Sequence, residues 1–291
     1  MKRLLSLSVG GTKIGGIQSF ASTAMTKYDF KPDIITGISA GALATLPLAL
    51  GKHSQMESIL RSLTLDDIFS VKPVKENGKL TFKAIGRAAT GNDSLGEMGV
   101  CKMLRRLVSE EEFNAFCDNP SSPHVWVMSV DAKSCARIIR KVNNLTYGQW
   151  ITYTVASASI PGFASPVSVD GYELYDGGLR NASLGAWAME TYTPDHTISV
   201  FSRPKDLSSV ADPDWDANNI LDPFARAFDI LMYEISKSNE EDEVKMAKMH
   251  NLKLDQGFLP VIMKSVFDTD KKRLNKLYEA GIEQAHLTLK K

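Results

Sequence analysis

Short apolar runs recur along the chain, each closed by glycines or small residues and followed by a longer apolar segment of helical spacing. Residues 4–9 alternate apolar with small side chains and predict a first strand; Gly10-Gly11-Thr12-Lys13-Ile14-Gly15-Gly16 follows, and residues 17–25 predict the first helix. Pro32-Asp33-Ile34-Ile35-Thr36 predicts a buried second strand, and the alanine-rich residues 42–50 predict a helix that Pro47 should kink. Met56, Ile59, Leu60 and Leu63 share one face of a helix over 53–63, as Met103, Leu104 and Leu107 do over 100–107. Residues 124–130 and 136–142 read as two strands that pair, and Val167-Ser168-Val169 with Tyr172-Glu173-Leu174 brackets Asp170-Gly171 as a hairpin turn. Helices alternating with strands in this way predict an α/β protein, a three-layer α/β/α sandwich around a mainly parallel sheet.

Two regions depart from that rhythm. Residues 66–99 are rich in Lys, Gly, Asn and Asp, with apolar side chains scattered at Ile68, Phe69, Val71, Leu80, Phe82 and Ile85. A connection this long inside a compact domain is usually functional or mobile, so it is read either as a cap or as an insertion without a catalytic role. In the C-terminal part, residues 221–249 predict a long helix with Phe224, Phe228, Leu231, Met232 and Ile235 apolar, before the acidic run Glu240-Glu241-Asp242-Glu243. Residues 270–289 predict a basic amphipathic helix, whose apolar face either covers a core or contacts a membrane or partner.

Composition narrows the function classes. The chain has 291 residues, 43% of them hydrophobic, which suits one domain spanning 1–291. Thirty-four basic residues balance 34 acidic ones, so no global field points to nucleic acid. Cys101, Cys117 and Cys135 lack metal-ligand or disulfide spacing and read as reduced thiols, which implies a reducing, cytoplasmic setting without a metal site. Gly10-Gly11 interrupts the apolar N-terminus before a signal segment could form, and no other run is long enough to span a membrane. Oligomeric state cannot be read from these features.

The candidate chemistry lies where strands give way to helices. Gly37-Ile38-Ser39-Ala40-Gly41 is a G-x-S-x-G elbow between the second strand and its helix, which would hold the Ser39 hydroxyl exposed at a strained apex. The Ala40 N–H opens that helix and lies where an oxyanion would form. The glycine-rich turn at 10–16 offers backbone N–H groups to an anion, either a phosphate or an acyl-transfer oxyanion. Lys13 could hold that loop or a phosphate-bearing substrate, or stand as a solvated lysine. Asp176-Gly177-Gly178 places a carboxylate on a tight turn, read either as a helix-capping turn or as a catalytic group. His196, His250 and His286 follow Asp176, but none lies in a small-residue loop suited to a triad base; a serine activated directly by a carboxylate is the remaining arrangement.

This ordered set, the glycine loop, the Ser39 elbow, Ala156-Ser157-Ala158-Ser159-Ile160-Pro161-Gly162 and Asp176-Gly177-Gly178, resembles the patatin-like phospholipase family over most of residues 4–182. The resemblance implies a Ser39–Asp176 dyad, an oxyanion hole drawing on Gly10, Gly11 and Thr12 with Ala40, a lipid substrate and no cofactor. It implies a lipid acyl hydrolase of phospholipase A or lysophospholipase type, with peripheral membrane contact left open. The alternatives are a serine acyltransferase or thioesterase of the same fold, or a catalytically silent lipid-binding member. One departure stands out: the family loop is usually Gly-Gly-Gly-x-Arg/Lys-Gly, whereas Val9 and Ile14 flank the central glycines here.

Overall fold

The structure, a computed structural model, describes residues 1–75, 79–206, 221–263 and 265–290, apart from the side chains at 221, 222, 224, 225 and 228. Phe224 and Phe228 therefore lie outside the described residues.

The chain opens with β1 (Arg3–Leu7), α1 (Ile14–Lys27), β2 (Ile34–Ile38), α2 (Ala40–Ala49) and α3 (His53–Arg61). The stretch read as irregular holds α4 (Leu65–Ile68), a two-stranded ribbon of β3 (Phe69–Val71) and β4 (Glu97–Met98), and α5 (Phe82–Ala89) between them. Next come α6 (Cys101–Leu107), α7 (Glu110–Asp118), β5 (His124–Asp131), β6 (Arg137–Lys141), α8 (Tyr147–Ser157), β7 (Val167–Val169) and β8 (Tyr172–Asp176). The chain closes with α9 (Gly185–Tyr192), β9 (His196–Phe201), α10 (Leu221–Met249), β10 (Lys253–Phe258) and α11 (Lys271–Leu289).

The main sheet runs β10-β9-β1-β2-β5-β8-β7, with β6 also paired to β5. The first five of these strands are parallel, and β6, β7 and β8 add antiparallel pairings at one side. The fold is thus α/β with a mixed, mostly parallel sheet flanked by helices, as the alternation of elements predicts. β2 (Ile-Ile-Thr-Gly-Ile) is buried at every position because helices cover both faces of the sheet. Leu5, Leu7 and Ile35 join the larger core shared with α1, α2 and α8, while Leu4 and Ile34 face the opposite side, with Met189 of α9 and Ala247 of α10.

The strands read as 124–130 with 136–142 pair as β5 and β6, and the Asp170-Gly171 turn forms with both residues at positive φ, 51° and 84°. The basic C-terminal helix has its apolar face occupied: Leu274, Leu277 and Ala285 of α11 are buried. Gly281 meets the backbone of Gly16 on α1 so closely that a side chain at 281 would collide with it. β10 is missing from the sequence reading because Lys-Leu-Asp-Gln-Gly-Phe is polar, as suits its place at the sheet edge.

The opposite layer is held partly by polar contacts. Asn239 on α10 accepts from the N–H groups of Ala182 (2.7 Å) and Ser183 (3.2 Å). Glu243, fully buried, accepts from Ser183 Oγ at 2.5 Å and Gln256 Nε2 at 3.2 Å. Ser183 Oγ continues through Ser6 (2.9 Å) to Thr36 on β2 (3.0 Å). Burial pushes the Glu243 carboxyl up from 4.5 to about 7, with these donors opposing the shift.

Candidate active site

Ser39 stands between β2 and α2 at φ 55°, ψ −119°, a backbone conformation that L-residues adopt only under constraint. The constraint is visible on both sides. A Cβ on Gly37 would lie 2.5 Å from the Gly41 backbone, and one on Gly41 would collide with the Leu7 carbonyl, so the elbow closes only with glycine at both places. The Ser39 N–H donates to Ser157 Oγ at 2.9 Å, and Ser157 Oγ donates to the Met128 carbonyl at 2.6 Å, which ties the apex to the end of α8 and to β5. The Gly41 N–H donates to the Ser8 carbonyl at 3.1 Å, anchoring the first turn of α2 to the end of β1.

Asp176 ends β8, opposite Ser129 of β5, one residue from the Met128–Ile38 pair that leads into Ser39. Gly177 then crosses the end of β5. A Cβ there would lie 2.5 Å from the Met128 carbonyl and 2.7 Å from Ile38, which is why glycine follows the carboxylate. Asp176 is held from both ends, its N–H donating to the Ser159 carbonyl at 2.9 Å and its Oδ1 accepting from the Gly178 N–H at 2.7 Å. Burial pushes its carboxyl up from 3.8 to about 7, opposed by the Ser39 hydroxyl and then by the Gly178 N–H. The structure therefore brings Ser39 and Asp176 to the wall of one cavity, close enough for the serine hydroxyl to oppose the rise in the carboxyl pKa.

The glycine loop lies on the other side of Ser39. Gly11 takes φ 54° and has no room for a Cβ beside the Val266 carbonyl. The Thr12 N–H donates to that carbonyl at 2.9 Å, which corrects the expectation that Thr12 offers its amide to an oxyanion. Among the described residues, the N–H groups of Gly10, Gly11 and Ala40 take no acceptor. The Val9 N–H donates to the Ala182 carbonyl at 3.0 Å, tying the loop to the chain beyond Asp176; Val9 and Ile14 are both buried and leave the central glycines in place. The Thr12 hydroxyl is buried and has no partner among the described residues.

Two cavities meet at Ser39. One, enclosing about 470 Å³ partly open to solvent, is apolar and is lined by Leu43, Leu60, Leu63, Val100 and Met103, with Ile68 and Met98 from the 66–99 segment. The other, about 420 Å³ and also partly open to solvent, is mixed: Lys13, Asp176, Ser202 and Asp229 line it beside the apolar Val9, Ile160, Met232 and Val266. Burial pushes the Lys13 ammonium down, with Asp229 opposing, and pushes the Asp229 carboxyl up, with Lys13 and Arg226 opposing. Lys13 is thus a wall of the serine's own cavity and not a solvated surface lysine. Ser202 and Asp229 carry no motif in the sequence, and Ser157, part of the 156–162 motif, is given no role there; Asp229 lies in α10.

The histidines lie elsewhere. His196 Nε2 meets Asp255 at 2.7 Å at the start of β9, and His286 Nδ1 meets the Tyr28 hydroxyl at 2.7 Å. Neither lines a cavity containing Ser39. No group of three or more potential metal-ligating side chains occurs among the described residues.

The profile of the patatin-like phospholipase family matches residues 5–185, which contain the glycine loop, the elbow and Asp176. The chain belongs to the patatin-like phospholipase family. No curated protein matches the chain significantly. Among solved structures, VipD from Legionella pneumophila is similar, with a TM-score of 0.50 and 12% identity over 99% of this chain. At that identity the likeness concerns the fold; the chain spans 66% of the VipD chain. Among the described residues no helix is long and apolar enough to cross a membrane.

Proposed function

We propose that this patatin-like protein hydrolyses fatty-acyl esters of phospholipids or lysophospholipids, with Ser39 as nucleophile and Asp176 as its base. The observation that carries the reading is the position of Ser39, at the junction of an apolar cavity and one that carries charged side chains, with a carboxyl raised to about 7 beside its hydroxyl. An aspartate at its ordinary value is a weak base; at about 7 it still ionises at neutral pH and holds a proton more readily.

In this reading the acyl chain fills the cavity lined by Leu43, Leu60 and Met103, and the alcohol side of the ester lies toward Lys13. Asp176 takes the Ser39 proton as the oxygen attacks the ester carbonyl. The Gly10, Gly11 and Ala40 N–H groups receive the oxyanion, aided by the positive end of α2. Asp176 then protonates the departing alcohol, and water, deprotonated by the same carboxylate, releases the fatty acid from Ser39. Ile68 and Met98 give the 66–99 segment a role as one wall of the acyl cavity, the sense in which it caps the site.

The test is release of free fatty acid from a mixture of phospholipids and lysophospholipids, with Ser39→Ala alongside. Release by the wild type that the variant loses supports the reading; release that persists in Ser39→Ala, or none by the wild type, refutes it.

A further inference from the structure

The second, mixed cavity holds two opposite charges that the proposed reaction does not use. Lys13 and Asp229 both line it, together with Ser39 and Asp176. Neither side chain makes a hydrogen bond or a contact ion pair among the described residues, although each feels the charge of the other and Asp229 feels that of Arg226 as well. Two desolvated, opposite charges would ordinarily close on each other, because an unpaired buried charge is costly. Here they stand apart on the walls of one cavity. Lys13 is fixed by the 3-10 turn Gly11–Lys13, its N–H donating to the Gly10 carbonyl at 3.0 Å. Asp229 is carried by α10, outside the segment that defines the family.

We infer that Lys13 and Asp229 form a head-group subsite for zwitterionic lipids, in which Lys13 takes the phosphate and Asp229 takes the ammonium of a phosphoethanolamine or phosphocholine group. This rests on the proposed function and deepens it by naming the substrate class. The chemistry fits in position and in charge. The subsite lies on the alcohol side of the ester, opposite the apolar cavity, where the head group of a bound phospholipid must go. An anionic lipid without an amine would satisfy Lys13 but would bring further negative charge up to Asp229 and to the Asp176 carboxyl, which also lines the cavity. An uncharged ester would offer a counter-charge to neither. A zwitterion satisfies both, and Ser202 supplies a further hydroxyl at the same wall.

The test measures binding separately from turnover. Short-chain phosphatidylcholine, phosphatidylethanolamine, phosphatidylglycerol and diacylglycerol are titrated below micelle formation into the Ser39→Ala protein by calorimetry, and again with Asp229→Asn or Asp229→Lys added. The expected result is a preference of about tenfold for the two zwitterions over phosphatidylglycerol, equivalent to about 1.4 kcal/mol. Asp229→Asn should abolish most of that preference, and Asp229→Lys should reverse it. Equal affinities, no binding of any of the four lipids, or a preference that survives Asp229→Asn overturns the subsite. Hydrolysis by the wild type without head-group preference overturns the subsite alone. Zwitterion-selective binding without hydrolysis of any ester supports the subsite and overturns the hydrolase reading.

Discussion

Asp176→Asn exchanges one carboxylate oxygen for an amide nitrogen in a fully enclosed position, and it should stabilise the protein while removing its activity. The Gly178 N–H keeps an acceptor, because the asparagine oxygen can take the place of Oδ1, now 2.7 Å away. What disappears is the cost of a buried carboxyl. In the unfolded chain this group ionises near 3.8, and in the folded protein only at about 7. The folded-state value is raised, so the sign is unfavourable: as pH rises from 3.8 toward 7 the unfolded chain loses its proton first, and stability falls across that window. At 1.36 kcal/mol per unit the loss above pH 7 reaches about 4 kcal/mol, on the order of 10 °C in Tm. Thermal denaturation of the wild type and Asp176→Asn should therefore coincide near pH 3.5 and diverge progressively to pH 7.5, with the variant higher. Loss of a general base should meanwhile cost about 10²–10⁴ in rate. A variant no more stable than the wild type at pH 7.5 would refute the buried, raised carboxyl, and a variant that retains activity would refute its role as base.

Three further outcomes follow from the geometry. Met98→Trp would fill part of the apolar cavity from the 66–99 side, and should shift the preference among p-nitrophenyl esters from long to short acyl chains; an unchanged chain-length profile would remove that segment from the site. Gly41→Ala should cost several kcal/mol or prevent folding, at the upper end of single-substitution effects, because its Cβ would collide with the Leu7 carbonyl; chemical denaturation measures this. Glu243→Gln should be more stable than the wild type at pH 8 by up to about 3 kcal/mol and indistinguishable from it at pH 4, since that carboxyl is raised from 4.5 to about 7. Denaturant titrations at the two pH values decide it.

How far the site could be read from the chain depended on how local its causes are. The Ser39 elbow was legible because its glycines answer contacts within a strand-turn-helix unit, and Gly37 meets Gly41 itself. Asp176 was legible as a turn carboxylate, but its nearness to Ser39 depends on the β2–β5–β8 register, which no local pattern reveals. Thr12 shows the same limit. Its place in the glycine loop suggested a free amide, and only the distant Val266 carbonyl, brought in by the segment between β10 and α11, takes that donor away. Residues 66–99 looked irregular because their elements are short and half-exposed, yet Arg87 links Glu97 at 2.8 Å and the Ser94 carbonyl at 2.9 Å. The basic helix near the C-terminus showed an apolar face without showing its occupant, and α1 proved to be that occupant.

The central claim is that Ser39 attacks an ester carbonyl with Asp176 as its base, and phosphonate labelling tests it most directly. A lipid-like fluorophosphonate is reacted with the protein between pH 5 and 9, and the modified peptide is identified by mass spectrometry. The account predicts a single adduct on Ser39, a labelling rate that rises through pH about 7 as the carboxyl ionises, and slow, pH-independent labelling in Asp176→Asn. An adduct on another serine, or a rate indifferent to both pH and the Asp176 substitution, would contradict it.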